Sequence, residues 1–189
     1  MVNGRYAALL RGINVGGHKK VPMARLRTLL EGLGHGGVRT HLQSGNAVFT
    51  VDGGDGGDGG DEETLAAAIG SAIEKEFGFA VDVLVRDAAY LKAVADACPF
   101  PAADLEPKQL HVTYFSVPVD ETRFASVDRA AFLPEDFHLG DRALYLYAPD
   151  GLGRSKLAVK LSTPALNRGM IATSRNWNTV TRLVEMTHD

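Results

Sequence analysis

Apolar positions run along this chain in two rounds of one rhythm. Tyr6 to Ile13 is an apolar run, broken at Arg11 and Gly12, that suits a buried strand, and a glycine-rich loop follows it directly. After Pro22, residues Met23, Leu26, Leu29, Leu30 and Leu33 recur at helical spacing until Gly34, Gly36 and Gly37 end the pattern. Val38 to Gln43 and Ala47 to Val51 read as short strands around Ser44-Gly45-Asn46, a compact hairpin signal. Leu65, Ile69, Ala72 and Ile73 mark a second helix from about Glu62 to Phe77, and Val81 to Arg86 closes the round as a strand.

The second round begins after a helix from Asp87 to about Cys98 and a proline-marked connector, Pro99 to Pro107. Leu110 to Val117 is strand-like. Phe124, Val127, Ala130 and Ala131 mark a helix capped by Asp120, and Phe137 to Leu139 pairs with Ala143 to Ala148 across Gly140-Asp141. A helix begins near Ser155 and restarts at Pro164, a short strand covers Met170 to Thr173, and Trp177, Val180, Leu183 and Val184 carry a last helix. Both rounds read βαββαβ. The predicted fold is therefore α+β: two tandem ferredoxin-like, split βαβ units (α/β plaits) with antiparallel sheets and an added C-terminal helix. Residues 1–86 form the first predicted domain, 87–107 a helix and connector, and 108–189 the second domain.

Composition fits this picture. Of 189 residues, 45% are hydrophobic and 23% charged, the balance of a globular chain. A formal net charge of −3 supplies no broad basic field for coating nucleic acid, so any phosphate recognition has to be local. Cys98 is the sole cysteine, which rules out an internal disulfide and a cysteine-based zinc knuckle. The opening apolar stretch, Tyr6 to Leu10, is too short for a signal segment or a membrane span, so a cytoplasmic location without a membrane partner is expected. The six histidines show no ligand spacing, and no metal is expected. Gly53 to Asp61, in which aspartate recurs every third residue, lacks the pattern of calcium-binding repeats and reads as a solvated connection.

Four polar islands interrupt the apolar rhythm: Arg11 to Lys20, Gln43 to Asn46, Gly153 to Lys156, and Arg175-Asn176-Trp177-Asn178-Thr179. Their Arg, Lys, Asn, Gln and Ser side chains donate hydrogen bonds, and glycine lets a ligand approach the backbone, which is the chemistry of an anion or nucleotide site. In a split βαβ unit the loop after the first strand meets the hairpin that joins the second and third strands, so the first two islands meet at one end of the first unit. Loops after the third and fourth strands also share an end, which brings the other two together in the second unit. The expectation is that both clusters share one interdomain cleft.

Each island also has a plain structural reading. Gly12 to Lys19 has the glycine spacing of a phosphate-binding loop, but His18 stands where that motif needs Lys and no Ser or Thr follows it. A glycine turn explains it equally well. Gln43 to Asn46 serves as a hairpin, and Ser155 and Asn176 stand where helix N-caps are expected. Arg154, Lys156 and Arg175 are harder to dismiss, because cations near a helix N-terminus oppose its dipole unless an anion, or a carboxylate of the protein itself, compensates. Trp177 falls on the apolar stripe of its helix and reads as core. Tyr145 and Tyr147 share a sheet face on which nucleobases can stack, yet no RNP signature accompanies them and interdomain packing explains them better. Cys98, beside Pro99, reads as an inert structural thiol.

At RGINVGGHKKVPM, LQSGNAVF, GRSK and SRNWNTV the chain resembles a largely bacterial family of domains of unknown function, numbered 1697. The resemblance spans almost the whole chain. It implies two tandem ferredoxin-like plaits, in agreement with the strand and helix pattern, and it implies no activity, substrate or catalytic residues.

The functional expectation is a protein whose domains clamp a phosphorylated or nucleotide-like small ligand. Arg11, Lys19, Lys20, Arg154, Lys156 and Arg175 would neutralise anionic oxygens, with the backbone of Gly16 and Gly17 close to the ligand. Asn14, Gln43, Ser44, Asn46, Ser155, Asn176 and Asn178 would orient its polar groups. No acid, base or nucleophile is specified, so no reaction and no cofactor is assigned. A nucleic-acid-binding module and a protein-interaction scaffold are the alternatives, and the oligomeric state is open.

Overall fold

The computed structural model describes residues 4–52 and 60–189. The chain forms two compact units, Met1–Lys92 together with Leu183–Asp189, and Ala93–Arg182. The division falls inside a helix, and the chain returns to the first unit at Leu183, so the C-terminal helix does not lie wholly in the second. The aspartate–glycine tract falls outside the described residues except for Gly60 and Asp61.

In the first unit, strands β1 (Gly4–Leu10), β2 (Gly36–His41), β3 (Asn46–Val51) and β4 (Val83–Asp87) form an antiparallel sheet in the order β2-β3-β1-β4. Alternate residues of β1, Tyr6, Ala8 and Leu10, pack with Phe49 and Val85 beneath helices α1 (Met23–Gly32) and α2 (Glu62–Phe77), which add Leu26, Leu30, Ile69 and Ile73. The intervening Ala7 and Leu9 are buried as well, which is why β1 reads as a continuous apolar run rather than an alternating one. Pro22 precedes α1, and Asp61 caps α2 by accepting the Thr64 amide at 2.9 Å.

Helix α3 (Ala88–Asp96) leads to the second unit, where β5 (Leu110–Phe115), β6 (Asp136–Gly140), β7 (Ala143–Tyr147) and β8 (Ala172–Asn176) repeat the order as β6-β7-β5-β8. Its core gathers Phe115, Phe124, Phe137, Leu144 and Leu157 under α4 (Glu121–Ala125) and α5 (Lys156–Leu161). Helix α6 (Trp177–His188) follows β8 without a loop.

Three local expectations need correction. The helix after Asp120 stops at Ala125, because Asp128 takes the Ala130 amide and starts a separate 3-10 turn over Arg129–Phe132. No helix restarts at Pro164: the Asn167 amide donates to the carbonyls of Leu161 and Thr163, which ends α5. The last strand covers Ala172–Asn176 rather than Met170 to Thr173, so Ser174, Arg175 and Asn176 are strand residues paired with β5, not a loop.

Candidate functional site

The loop after β1 and the β2–β3 hairpin meet at one end of the first sheet. The Leu10 amide donates to the Gly45 carbonyl at 2.9 Å, and the Arg11 amide to Asp82 at the start of β4. Within the loop, Val15 and His18 form an antiparallel bridge around Gly16 and Gly17, both at positive φ (58° and 79°). Two positive φ values at the centre of a two-residue turn are what a type I′ hairpin requires, so this glycine pair makes a hairpin tip. Arg11, Val15, His18, Lys19 and Lys20 are all exposed around it.

Asn14 ties the miniature hairpin to its neighbours. Its side chain accepts the Val21 amide at 2.9 Å and donates to the carbonyls of Val21 at 3.0 Å and Gln43 at 2.7 Å. Those bonds engage both amide hydrogens, which makes Asn14 a positioning residue for the loop. Asn46 is fully buried, with its amide donating to His41 and Ser44, so it shapes the hairpin from within. Arg11 pairs with Asp82 at 3.3 Å, both about half exposed, and Lys19 donates to the Ala80 carbonyl at 2.8 Å. Among the described residues, the side chains of His18 and Lys20 make no hydrogen bond or ion pair, and Gln43 is exposed.

The second unit arranges its islands differently. Ser155 is buried at the N-cap of α5, where its hydroxyl oxygen accepts the Ala158 amide at 2.8 Å and its proton goes to Glu135. The Glu135 carboxylate also accepts the amides of Lys156 and Leu157, each at 3.2 Å. The anion that this helix start calls for is therefore the protein's own carboxylate. Arg154 and Lys156 remain exposed beside it.

Arg175 is buried in β8 and donates to the Thr173 hydroxyl at 2.8 Å and the Ser174 carbonyl at 2.9 Å. Burial pushes its guanidinium down to about 10, against an opposing influence from Tyr114, and it stays protonated at neutral pH. Asn176 accepts the Thr179 amide at 3.0 Å and caps α6, while Asn178 is exposed on its first turn and Trp177 is half-buried. These two islands do share an end of the sheet, since β6 starts at Asp136 opposite Tyr147 and β8 finishes at Asn176 opposite His111. However, Glu135 leads into edge strand β6 and Asn176 ends the other edge strand, three strand spacings or about 14 Å away.

Sequence reasoning missed Glu135 and Asp82, the carboxylates that answer two of the cationic islands. Neither is adjacent in sequence to the group it answers, and no local pattern marks them. Tyr145 is buried and donates to the Val94 carbonyl at 2.6 Å, so its ring is not open to stacking bases, while Tyr147 is half-buried with its ring 5.9 Å from that of Phe100. The Cys98 thiol is pushed up by burial, the direction of an unreactive group. Among the described residues, no group of three or more His, Cys, Asp or Glu is placed to hold a metal ion, and no helix is long and apolar enough to cross a membrane.

The architecture is shared with a solved structure. The conserved bacterial protein SP0830 from Streptococcus pneumoniae superposes with a TM-score of 0.75 over 98% of this chain and 99% of its own, at 22% identity. At that identity the likeness carries the fold alone. Among curated proteins, none matches the chain. The sequence profile described as "Protein of unknown function (DUF1697)" matches residues 4–145, more than half of the chain and the whole described sheet of the first unit, and the chain belongs to that family.

Proposed function

We propose that the first unit binds a phosphorylated or nucleotide-like small ligand at the end of its sheet where the β1–α1 loop meets the β2–β3 hairpin. The observation that carries this reading is the gathering of Arg11, His18, Lys19 and Lys20 around a hairpin tip that Asn14 clamps in place. Among the described residues the Lys20 side chain has no partner, so it reaches a ligand without giving up an existing bond. Arg11 is held by an exposed pair of modest strength, which an incoming phosphate can replace. Exposed Gly16 and Gly17 let an anion approach the backbone.

The proposal is confined to the first unit because Ser155, Arg175 and Asn176 already have structural partners. The function proposed is binding, and no reaction is assigned to it. Thermal-shift screening with inorganic phosphate, nucleoside phosphates and sugar phosphates tests it. At least one probe is expected to raise the Tm in a concentration-dependent way. Lys20→Ala is expected to weaken that binding by about 1.5–3 kcal/mol, the range for a charged hydrogen bond. No stabilisation by any phosphate compound, or unchanged affinity in the Lys20→Ala, Arg11→Ala double variant, overturns the reading.

A further inference from the structure

We propose that a cavity on the first unit, away from the loop end, is a binding site for a small organic acid whose carboxylate takes the place of Asp189 on Arg39. The cavity measures about 460 Å³, within the range of small-molecule sites. Arg39, Val48 and Thr50 line it from the sheet, together with Arg5 near the start of β1. Met186, Thr187 and Asp189 line it from the C-terminal segment. Leu10, where the loop cluster begins, is five residues along β1 from Arg5, or about 17 Å. The two proposed sites are thus separate.

The sequence builds this cavity through a strand irregularity. Pairing of β2 with β3 shifts register between Gly36 and Arg39, and Gly37 takes a φ of 56°. A side chain at Gly36 would approach the Thr50 hydroxyl to 2.8 Å, so the glycine permits the close passage of this edge strand. Beyond the bulge, Arg39 pairs opposite Val48, and Arg5 pairs opposite Thr50 on the next strand, which sets both guanidiniums along one wall.

Each arginine spends part of its hydrogen-bonding capacity on the end of α6. Arg5 donates to the Thr187 carbonyl at 3.4 Å and Arg39 to the Met186 carbonyl, favourable positions for cations at a helix C-terminus. A guanidinium has five N–H donors, so these contacts leave capacity on both. Arg39 also meets Asp189 at 3.5 Å, a loose pair with the two side chains 46% and 59% exposed. Asp189 shows the kind of group this wall accepts: a carboxylate, which fits the planar guanidinium fork. Its pairing is weak enough for a ligand to displace it. Val48 and Met186 supply apolar surface for the carbon skeleton of the acid, and Glu31 adds negative charge to the lining, which disfavours polyanions.

Succinate is the probe, titrated into the full chain while the guanidinium N–H resonances of Arg5 and Arg39 are followed by NMR. Saturable shifts at both are expected. Asp189→Asn removes the competing carboxylate and is expected to tighten binding about two- to fivefold, the scale of an exposed pair. Arg39→Gln is expected to weaken it by about tenfold or more, the effect of losing a charged hydrogen bond. Lys20→Ala, which alters the loop end, leaves succinate affinity unchanged, so this site and the proposed phosphate site succeed or fail separately. The inference is overturned by unsaturable shifts, by an Asp189→Asn variant that binds no better than the parent, or by inorganic phosphate binding the cavity more tightly than succinate. If Arg39→Gln does not fold, the Asp189→Asn comparison decides alone.

Discussion

Ser155 donates its hydroxyl proton to Glu135 while its oxygen accepts the Ala158 amide, so one side chain joins the carboxylate before β6 to the first turn of α5. The same carboxylate takes the amides of Lys156 and Leu157, which leaves the start of this short helix charge-compensated. Glu135→Ala is therefore expected to lower unfolding free energy by about 1.5–3 kcal/mol, and Ser155→Ala by about 1 kcal/mol. Because each acts through the other, the double variant should cost less than the sum. Urea denaturation of the four proteins measures the coupling, and strictly additive losses would refute the shared cap.

Gly45 and Gly17 separate two reasons for glycine at the proposed phosphate site. Both have positive φ, 89° and 79°. A Cβ on Gly45 would lie 2.7 Å from Ile13 Cδ1 and 2.9 Å from Leu10 Cβ, whereas one on Gly17 meets nothing within 4 Å. Gly17→Ala is expected to cost about 1 kcal/mol of backbone strain. Gly45→Ala adds overpacking of the loop–hairpin contact and should cost about 2 kcal/mol or more. Equal melting temperatures for the two variants would show that this contact is looser than the structure has it.

The two-unit fold was legible because its periodicities are long and its apolar stripes, such as Leu65, Ile69 and Ile73, carry the core directly. The meeting of the first two islands followed from topology alone. Arg175 was misread because Thr173, Ser174, Arg175 and Asn176 carry no apolar alternation, and an edge strand is fixed here by pairing to β5 rather than by its own pattern. In the sequence Gly36 and Gly37 mark only the end of a helix. Their part in a bulge depends on Thr50, which a local window does not contain. The organic-acid cavity needs β1, β2, β3 and the C-terminal segment together, and no one of these segments marks it by itself.

Arg175 is expected to contribute to folding rather than to a solvent-facing anion site. It is 8% exposed, and its side chain bridges Thr173 and Ser174 within β8. Arg175→Ala leaves a gap and deprives the Thr173 hydroxyl of its donor, so a loss of about 2–4 kcal/mol is expected. Arg175→Met fills the volume without the desolvated charge and should recover a large part of that loss. Affinity for phosphate probes is expected to be unchanged in Arg175→Met. A folded Arg175→Met protein that has lost phosphate binding would return Arg175 to the ligand site.

His111 sets the expected acid limit of stability. It is 7% exposed in β5, with Nδ1 lacking a hydrogen-bond partner, and burial holds its pKa below the ordinary 6.5. His35, packed against Phe49 at 4.6 Å between ring centroids, is lowered for the same reason. The fold disfavours the charged imidazole, so as pH falls through 6.5 the unfolded chain takes up the proton first. Stability is full above that pH, declines from there toward the depressed folded pKa, and loses nothing further from this group below it. The capping carboxylates of Asp61 and Asp120 act in a separate window, because their pKa values lie below 3.8 and their contribution goes only as pH falls through those lower values. The Tm of the parent should thus fall over the interval of pH just below 6.5. His111→Leu should flatten part of that slope, and a further replacement of His35 should flatten more of it. A parent whose Tm is constant across this interval, or a His111→Leu variant with the same slope as the parent, would show that the buried imidazole does not govern the acid response.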